Sequence, residues 1–440
     1  MKVTASDLDP GRTPRDLVIL ALLTPIVGAA AGLVGGLFRL VLLNADALRN
    51  RLVGEAQAFP LIGLLLVVTA CALAGYAAAW LVRRYSPVAS GSGIPHVEVV
   101  IEGRVPPAPF RLLPVKFVGG TLAIGSGFAL GREGPTVQMG ASLADLVGTI
   151  CRRSWVDRRV LIAAGAGAGL ATAFNAPIAG AIFVLEELVR RFEPRIAMVA
   201  LGTSATAVSV SRLILGDAPD FTVQGLDYAE AGARPLFLVL GLLLGLFAIV
   251  YNRTLLATMS FVGGFKSAPA ELRAAVIGAG IGALAFFYPD LVGGGDPLTQ
   301  RALNGLDALA LLPALILLRL VLGSLSYAAG TPGGLFAPML VLGAQAGLAF
   351  GLVCQWAFPG LAIEPIGFAV VGMAALFTGI VRAPLTGIVL VIEMTASVTM
   401  LLPMLMACFA AMFVGIITRD PPVYESLRDR LLETAGKLGS

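Results

Sequence analysis

Ala176-Pro-Ile-Ala-Gly-Ala-Ile-Phe-Val-Leu-Glu186 returns later in the chain as Ala383-Pro-Leu-Thr-Gly-Ile-Val-Leu-Val-Ile-Glu393. The two stretches lie 207 positions apart (383 minus 176), and Gly165 stands at the same spacing from Gly372. Gly140-Ala141 pairs with Gly343-Ala344 at 203 (343 minus 140). The halves read as copies. A duplicated apolar chain implies a pseudo-two-fold arrangement with the substrate site between the halves, near mid-membrane. Copies with an odd number of spans each must be inverted, and that is the expectation.

The solvent for such a chain is lipid. Of 440 residues, 57% are hydrophobic and 13% charged, with mean hydropathy +0.89, too few polar side chains to cover a water-facing surface. Leu61 to Val82 holds no charge and is long enough to cross the roughly 30 Å hydrocarbon core as a helix. Leu320 to Ile363 is also uncharged, but Gly-Thr-Pro-Gly-Gly inside it predicts two or three segments. The fold class is therefore an all-α integral membrane bundle with broken and reentrant helices.

The predicted organisation is a cytoplasmic N-terminal segment over 1–16, a first membrane repeat over 17–215 and a linker over 216–234, where Asp217, Asp220, Asp227 and Glu230 interrupt the apolar pattern. A second repeat follows over 235–424, then a short cytoplasmic tail over 425–440, with no soluble regulatory domain expected. Met1 to Asp16 is charged and lacks the pattern of a cleaved signal. The net charge of +4 comes largely from short basic pairs, Arg83-Arg84, Arg152-Arg153, Arg158-Arg159 and Arg190-Arg191. Such loops stay on the cytoplasmic side, so nucleic-acid binding is a poor reading and both termini are expected in the cytoplasm. Cys71, Cys151, Cys354 and Cys408 are scattered and read as free thiols or small buried residues. With His96 the single histidine and no Gly-x-Ser-x-Gly elbow, no enzyme, metal or cofactor chemistry is expected.

Three glycine- and proline-containing loops interrupt the apolar runs: Gly91-Ser-Gly-Ile-Pro95, Gly131-Arg-Glu-Gly-Pro135 and Gly333-Gly-Leu-Phe-Ala-Pro338. In lipid, irregular backbone survives only against protein or a water-filled cavity. A glycine-rich loop ahead of an apolar helix offers unpaired N–H groups at the positive end of the dipole, a site for an anion that must also leave. Glu133 sits inside one loop, where an ionisable group by default marks an ion or proton pathway. Ionised, it competes with the anion; protonated, it withdraws. The plain alternative is an ion pair with Arg132. Glu186 and Glu187, ahead of Arg190-Arg191, read first as a helix end at the cytoplasmic surface. Glu98, Glu102 and Lys116 read as partners of Glu187 or as interfacial charges. Tyr424, after Pro421-Pro422, reads alone as an interfacial aromatic.

These loops, with Arg382 to Thr395, resemble the CLC family of chloride channels and chloride/proton antiporters, most closely its bacterial antiporters. The motifs occur in the family's order and cover about Ser90 to Tyr424. The resemblance implies an inverted-repeat fold, a homodimer with one pathway per subunit, an inner or plasma membrane location, and chloride and protons as substrates. It further implies that Ser92 and Tyr424 donate hydroxyls to chloride, that Leu335 and Phe336 donate backbone N–H groups, and that Glu133 is the external gate. Glu187 matches the internal proton-transfer glutamate, where the family's channels are apolar, so an antiporter is expected; the alternative is a passive voltage- or pH-gated chloride channel. Glu98 and Lys116 match supporting residues near Glu187. Nitrate-preferring relatives tend to carry proline at the place of Ser92, and fluoride exporters depart from Gly-Ser-Gly-Ile-Pro, so chloride is the expected anion. His96 departs from relatives with an acid there and reads as an interfacial histidine.

Overall fold

Apolar runs punctuated by proline and glycine become helices here, and the computed structural model describes residues 14–223, 225–226 and 231–439. Asp227, Glu230 and the first thirteen residues, including most of the predicted N-terminal segment, lie outside the described residues. The first eight helices are α1 (Pro14–Ala56), α2 (Pro60–Tyr85), α3 (Ile94–Ile101), α4 (Leu112–Gly125), α5 (Glu133–Ile150), α6 (Trp155–Phe174), α7 (Pro177–Phe183) and α8 (Pro194–Leu215). The next eight are α9 (Arg234–Gly264), α10 (Ala270–Phe287), α11 (Asp296–Leu303), α12 (Leu312–Ala328), α13 (Phe336–Ala357), α14 (Pro365–Val381), α15 (Pro384–Thr395) and α16 (Leu401–Thr418). Helix α17 (Val423–Gly439) follows. Several helices start on proline, which lacks only an N–H that a first turn leaves unpaired anyway.

The copies are visible in packing. Helix α5 crosses α6 as α13 crosses α14, and α1 packs on α8 as α9 packs on α16. At each crossing two glycines meet backbone to backbone, Gly140 with Gly165 and Gly343 with Gly372, and any added Cβ would strike the facing carbonyl. These are the glycines that recur in the sequence. Helices α3 and α11 correspond too: both have eight residues and both follow a glycine in the left-handed region, Gly93 and Gly295.

The copies are inverted. Glu186, just beyond α7, accepts from the N–H groups of Leu385 (3.0 Å) and Thr386 (2.7 Å) at the start of α15. Glu393, near the end of α15, accepts from Ile178 (3.0 Å) and Ala179 (2.8 Å) at the start of α7. Each helix caps the other's beginning from near its own end, so the two run antiparallel about a two-fold axis that passes between them. A carboxylate at a helix N-terminus satisfies orphan donors and complements the dipole. Glu186 is thus a cap between the halves, where a surface helix end was the simplest sequence reading.

Among the described residues, seven helices are long and apolar enough to span a bilayer. In six of them 28–44% of the apolar window is buried, but in α13 it is 72%, which puts α13 in the interior and the others at the lipid boundary. Leu61, Ile62, Leu66 and Leu73 on α2, and Phe409 and Ile416 on α16, face outward. The polytopic membrane architecture follows. All four cysteines are free, with only Cys151 exposed.

Candidate functional site

The three interrupted loops meet. Gly131 and Gly334 exchange backbone hydrogen bonds at 2.9 and 2.7 Å, and Gly91 is held through the N–H it donates to Thr331 and the carbonyl that accepts from Gly333, both at 3.1 Å. Residues 91, 131 and 334 are far apart in sequence, yet their helices α3, α5 and α13 begin at one buried point. Each start offers N–H groups with no partner in their own helix.

Glu133 is fully buried as the first residue of α5, and its Oε1 accepts from the Phe336 N–H at 2.7 Å, the first residue of α13. A carboxylate from one repeat therefore occupies the helix N-terminus of the other. Gly131 and Gly334 make this possible, since a Cβ on either would overlap the carboxylate. Arg132 is turned away. It pairs with Asp220 (3.0 Å) and Asp296 (2.9 Å) and donates to the Ala173 carbonyl (2.8 Å); Arg39 also pairs with Asp220. The expected alternative of a Glu133–Arg132 pair is set aside by those partners. A cavity of about 90 Å³ on this side is lined by Arg49, Gly131, Arg132, Asp296 and Ala337.

Ser92 and Tyr424 are both fully buried, and neither hydroxyl has a hydrogen-bond partner among the described residues. Glu133 Oε2 shares that condition. Buried polar atoms are normally satisfied, so a cluster of orphans at a helix junction marks where something else binds. Ser92 packs directly on Gly134 beside Glu133. Tyr424, the second residue of α17, lies with its ring 6.1 Å from that of Phe336; it is a core residue, where the local sequence suggested the membrane interface. Leu335 and Phe336 are buried at the head of α13, and Phe174, Phe183 and Phe377 pack around the Phe336 ring.

Glu187 is buried in a π-type turn over Val184–Leu188, with Arg190 at 3.5 Å. That turn separates two neighbours, Glu186 facing α15 and Glu187 facing α3. Glu98, on α3, is buried close against Glu187. Glu102 pairs instead with Arg428 and Arg104. Lys116 is also placed elsewhere than expected: its Nζ donates to the carbonyls of Ala89 (3.0 Å) and Gly91 (2.7 Å), bracing the loop that carries Ser92. His96 is buried in α3 and not at an interface. Asp220, Asp296 and Arg39 were not singled out as site residues; only the break in the apolar pattern at Asp220 hinted at them.

Two further cavities lie beside the elements that form this site. One of about 620 Å³ includes Ser90, Gly91, Gly93, Tyr327 and Arg273 in its lining. Another of about 560 Å³ is lined by Glu186, Glu187, Arg190 and Arg382. They share no lining residue.

Comparison with known proteins gives a consistent result. A family model described as voltage gated chloride channel matches residues 72–415. The chain is 41% identical over 435 residues to the H(+)/Cl(-) exchange transporter ClcA of Vibrio cholerae serotype O1, covering 97% of this chain and 92% of that one. It is 38% identical over 432 residues to the protein of that name from Salmonella arizonae, covering 96% and 90%. Among solved structures, a slow cyanobacterial Cl-/H+ antiporter superposes with a TM-score of 0.91 at 32% identity, covering 96% of this chain and 99% of that one.

Proposed function

Because the chain belongs to the voltage gated chloride channel family, we propose that it is a secondary active antiporter exchanging chloride for protons, with Glu133 as the shared gate. The observation that carries this reading is the orphaned set at one point: the hydroxyls of Ser92 and Tyr424 and Oε2 of Glu133, beside helix N-termini. Two hydroxyls and backbone dipoles replace part of chloride's hydration without a full positive charge, so the ion binds and still leaves. Glu133 in its ionised form holds the Phe336 N–H against the anion. Protonated, it loses that charge-assisted bond and gives way.

Coupling needs a proton route distinct from the anion route. The two cavities without a common lining residue support this: one opens toward Ser92, the other toward Glu187. Protons pass from Glu187, which lies beside Glu98 and Arg190, to Glu133. Lys116 acts on the anion side by fixing the Ser92 loop. Leu335 and Phe336 contribute the head of α13. The named relatives are exchange transporters, and an antiporter structure shares the fold closely, which supports exchange over a passive channel.

Every residue of this set comes from one chain, so each subunit of the expected homodimer has its own pathway. The basic pairs support both termini lying in the cytoplasm, in a protein of the inner or plasma membrane. The test is proton movement in liposomes loaded with high chloride and diluted into low chloride at equal pH. Chloride leaving must draw protons inward until they move uphill; chloride leaving with no proton movement would make the protein a channel.

A further inference from the structure

The 620 Å³ cavity on the Ser92 side has a hydroxyl that neither the motifs nor the site above has used. Tyr327, near the end of α12, is buried with its ring laid across the loop so closely that a Cβ on Gly91 would come 2.9 Å from its oxygen. Gly91 holds φ of +61°, which suits glycine there. The Tyr327 oxygen accepts from the N–H of Ser92 at 3.4 Å. A backbone N–H only donates, so in this bond the phenol is the acceptor and its own proton remains to be given. Accepting one hydrogen bond polarises the O–H and strengthens its donation.

Tyr327 is itself part of the cavity lining. Arg273 and Arg430 belong to that lining as well, and among the described residues the lining includes no carboxylate. Two guanidinium groups and a phenol in one lining suit a small anion. We propose that Tyr327 is a further anion-contacting residue, whose hydroxyl passes small anions from this cavity to the Ser92–Tyr424 site and filters them by their demand for a hydrogen bond. Chloride, which needs donors to replace its water, is favoured there over a large, weakly hydrated anion such as thiocyanate.

The proposal rests on the anion-transport reading above, and the experiment separates the two. Wild type, Tyr327→Phe and Tyr327→Leu are reconstituted in liposomes, and chloride and thiocyanate fluxes are measured against anion concentration on the cavity side, with melting temperature recorded for each. Loss of the hydroxyl is expected to raise the half-saturating chloride concentration about tenfold, the lower end of a hydrogen bond to a charged partner. Thiocyanate flux changes far less, so the ratio of the two shifts in both variants, which a purely structural role would not produce. Unchanged chloride saturation and selectivity in folded variants, or tighter chloride binding, would overturn the role of Tyr327 and leave the transport reading standing. Absence of anion flux in the wild type would instead overturn both.

Discussion

Replacing Glu133 by Gln keeps the side-chain shape and an oxygen for the Phe336 N–H while removing the charge. In the native site Oε1 takes that N–H at 2.7 Å in a fully buried setting. A hydrogen bond to a charged group contributes about 1.5–3 kcal/mol and a neutral one about 0.5–1.5 kcal/mol. The ionised carboxylate therefore competes for the head of α13 by about 1–1.5 kcal/mol more than the amide, near tenfold in affinity. Chloride should bind Glu133→Gln about tenfold more tightly than wild type in alkaline buffer, read by isothermal titration in detergent. Chloride flux should persist in liposomes while proton movement falls to the leak of protein-free vesicles. Equal chloride affinity together with intact proton movement in this variant would refute the assignment of Glu133 as both competitor and proton carrier.

Glu187→Gln should leave chloride flux in place and slow coupled proton movement by about a hundredfold, the smaller end of what a positioned proton donor supplies; unaltered proton turnover would remove Glu187 from the route. Gly334→Ala puts a methyl group where the Glu133 carboxylate lies, so proton coupling should weaken in a protein that still elutes as a folded species; full coupling would show that the carboxylate does not need its place against Phe336. Glu186→Ala and Glu393→Ala each strip a cap from the partner helix, and each should lower stability by about 0.5–2 kcal/mol, seen as a lower melting temperature in detergent; unchanged melting in both would mean water caps those helices equally well.

The reach of the sequence follows from the range of the interactions. Breaks at Gly91, Gly131 and Gly333 were legible because glycine and proline interrupt apolar runs locally, and the structure begins α3, α5 and α13 just after them. The duplication was legible in the Ala-Pro and glycine pattern, since helix crossings such as Gly140 with Gly165 admit no side chain. The reciprocal caps were half visible: Glu186 and Glu393 recur at one spacing, but neighbouring Arg190-Arg191 made the first look like a surface charge. The cluster of Arg132, Asp220, Asp296 and Arg39 joins residues far apart in the chain, and nothing local announces such a pairing. The partners of Lys116, and the part played by Tyr327, were hidden for the same reason, since both side chains act on the backbone of a distant loop, and backbone partners leave no mark in residue identity.

Exchange must run in both directions, and the reverse run is the most direct test of the account. Purified protein is placed in liposomes with equal chloride on both sides, the interior acidified, and the membrane voltage clamped at zero with potassium and valinomycin. Protons leaving down their gradient should pull chloride inward to a concentration above that outside. Chloride that stays at its equal distribution while the proton gradient persists would contradict the account.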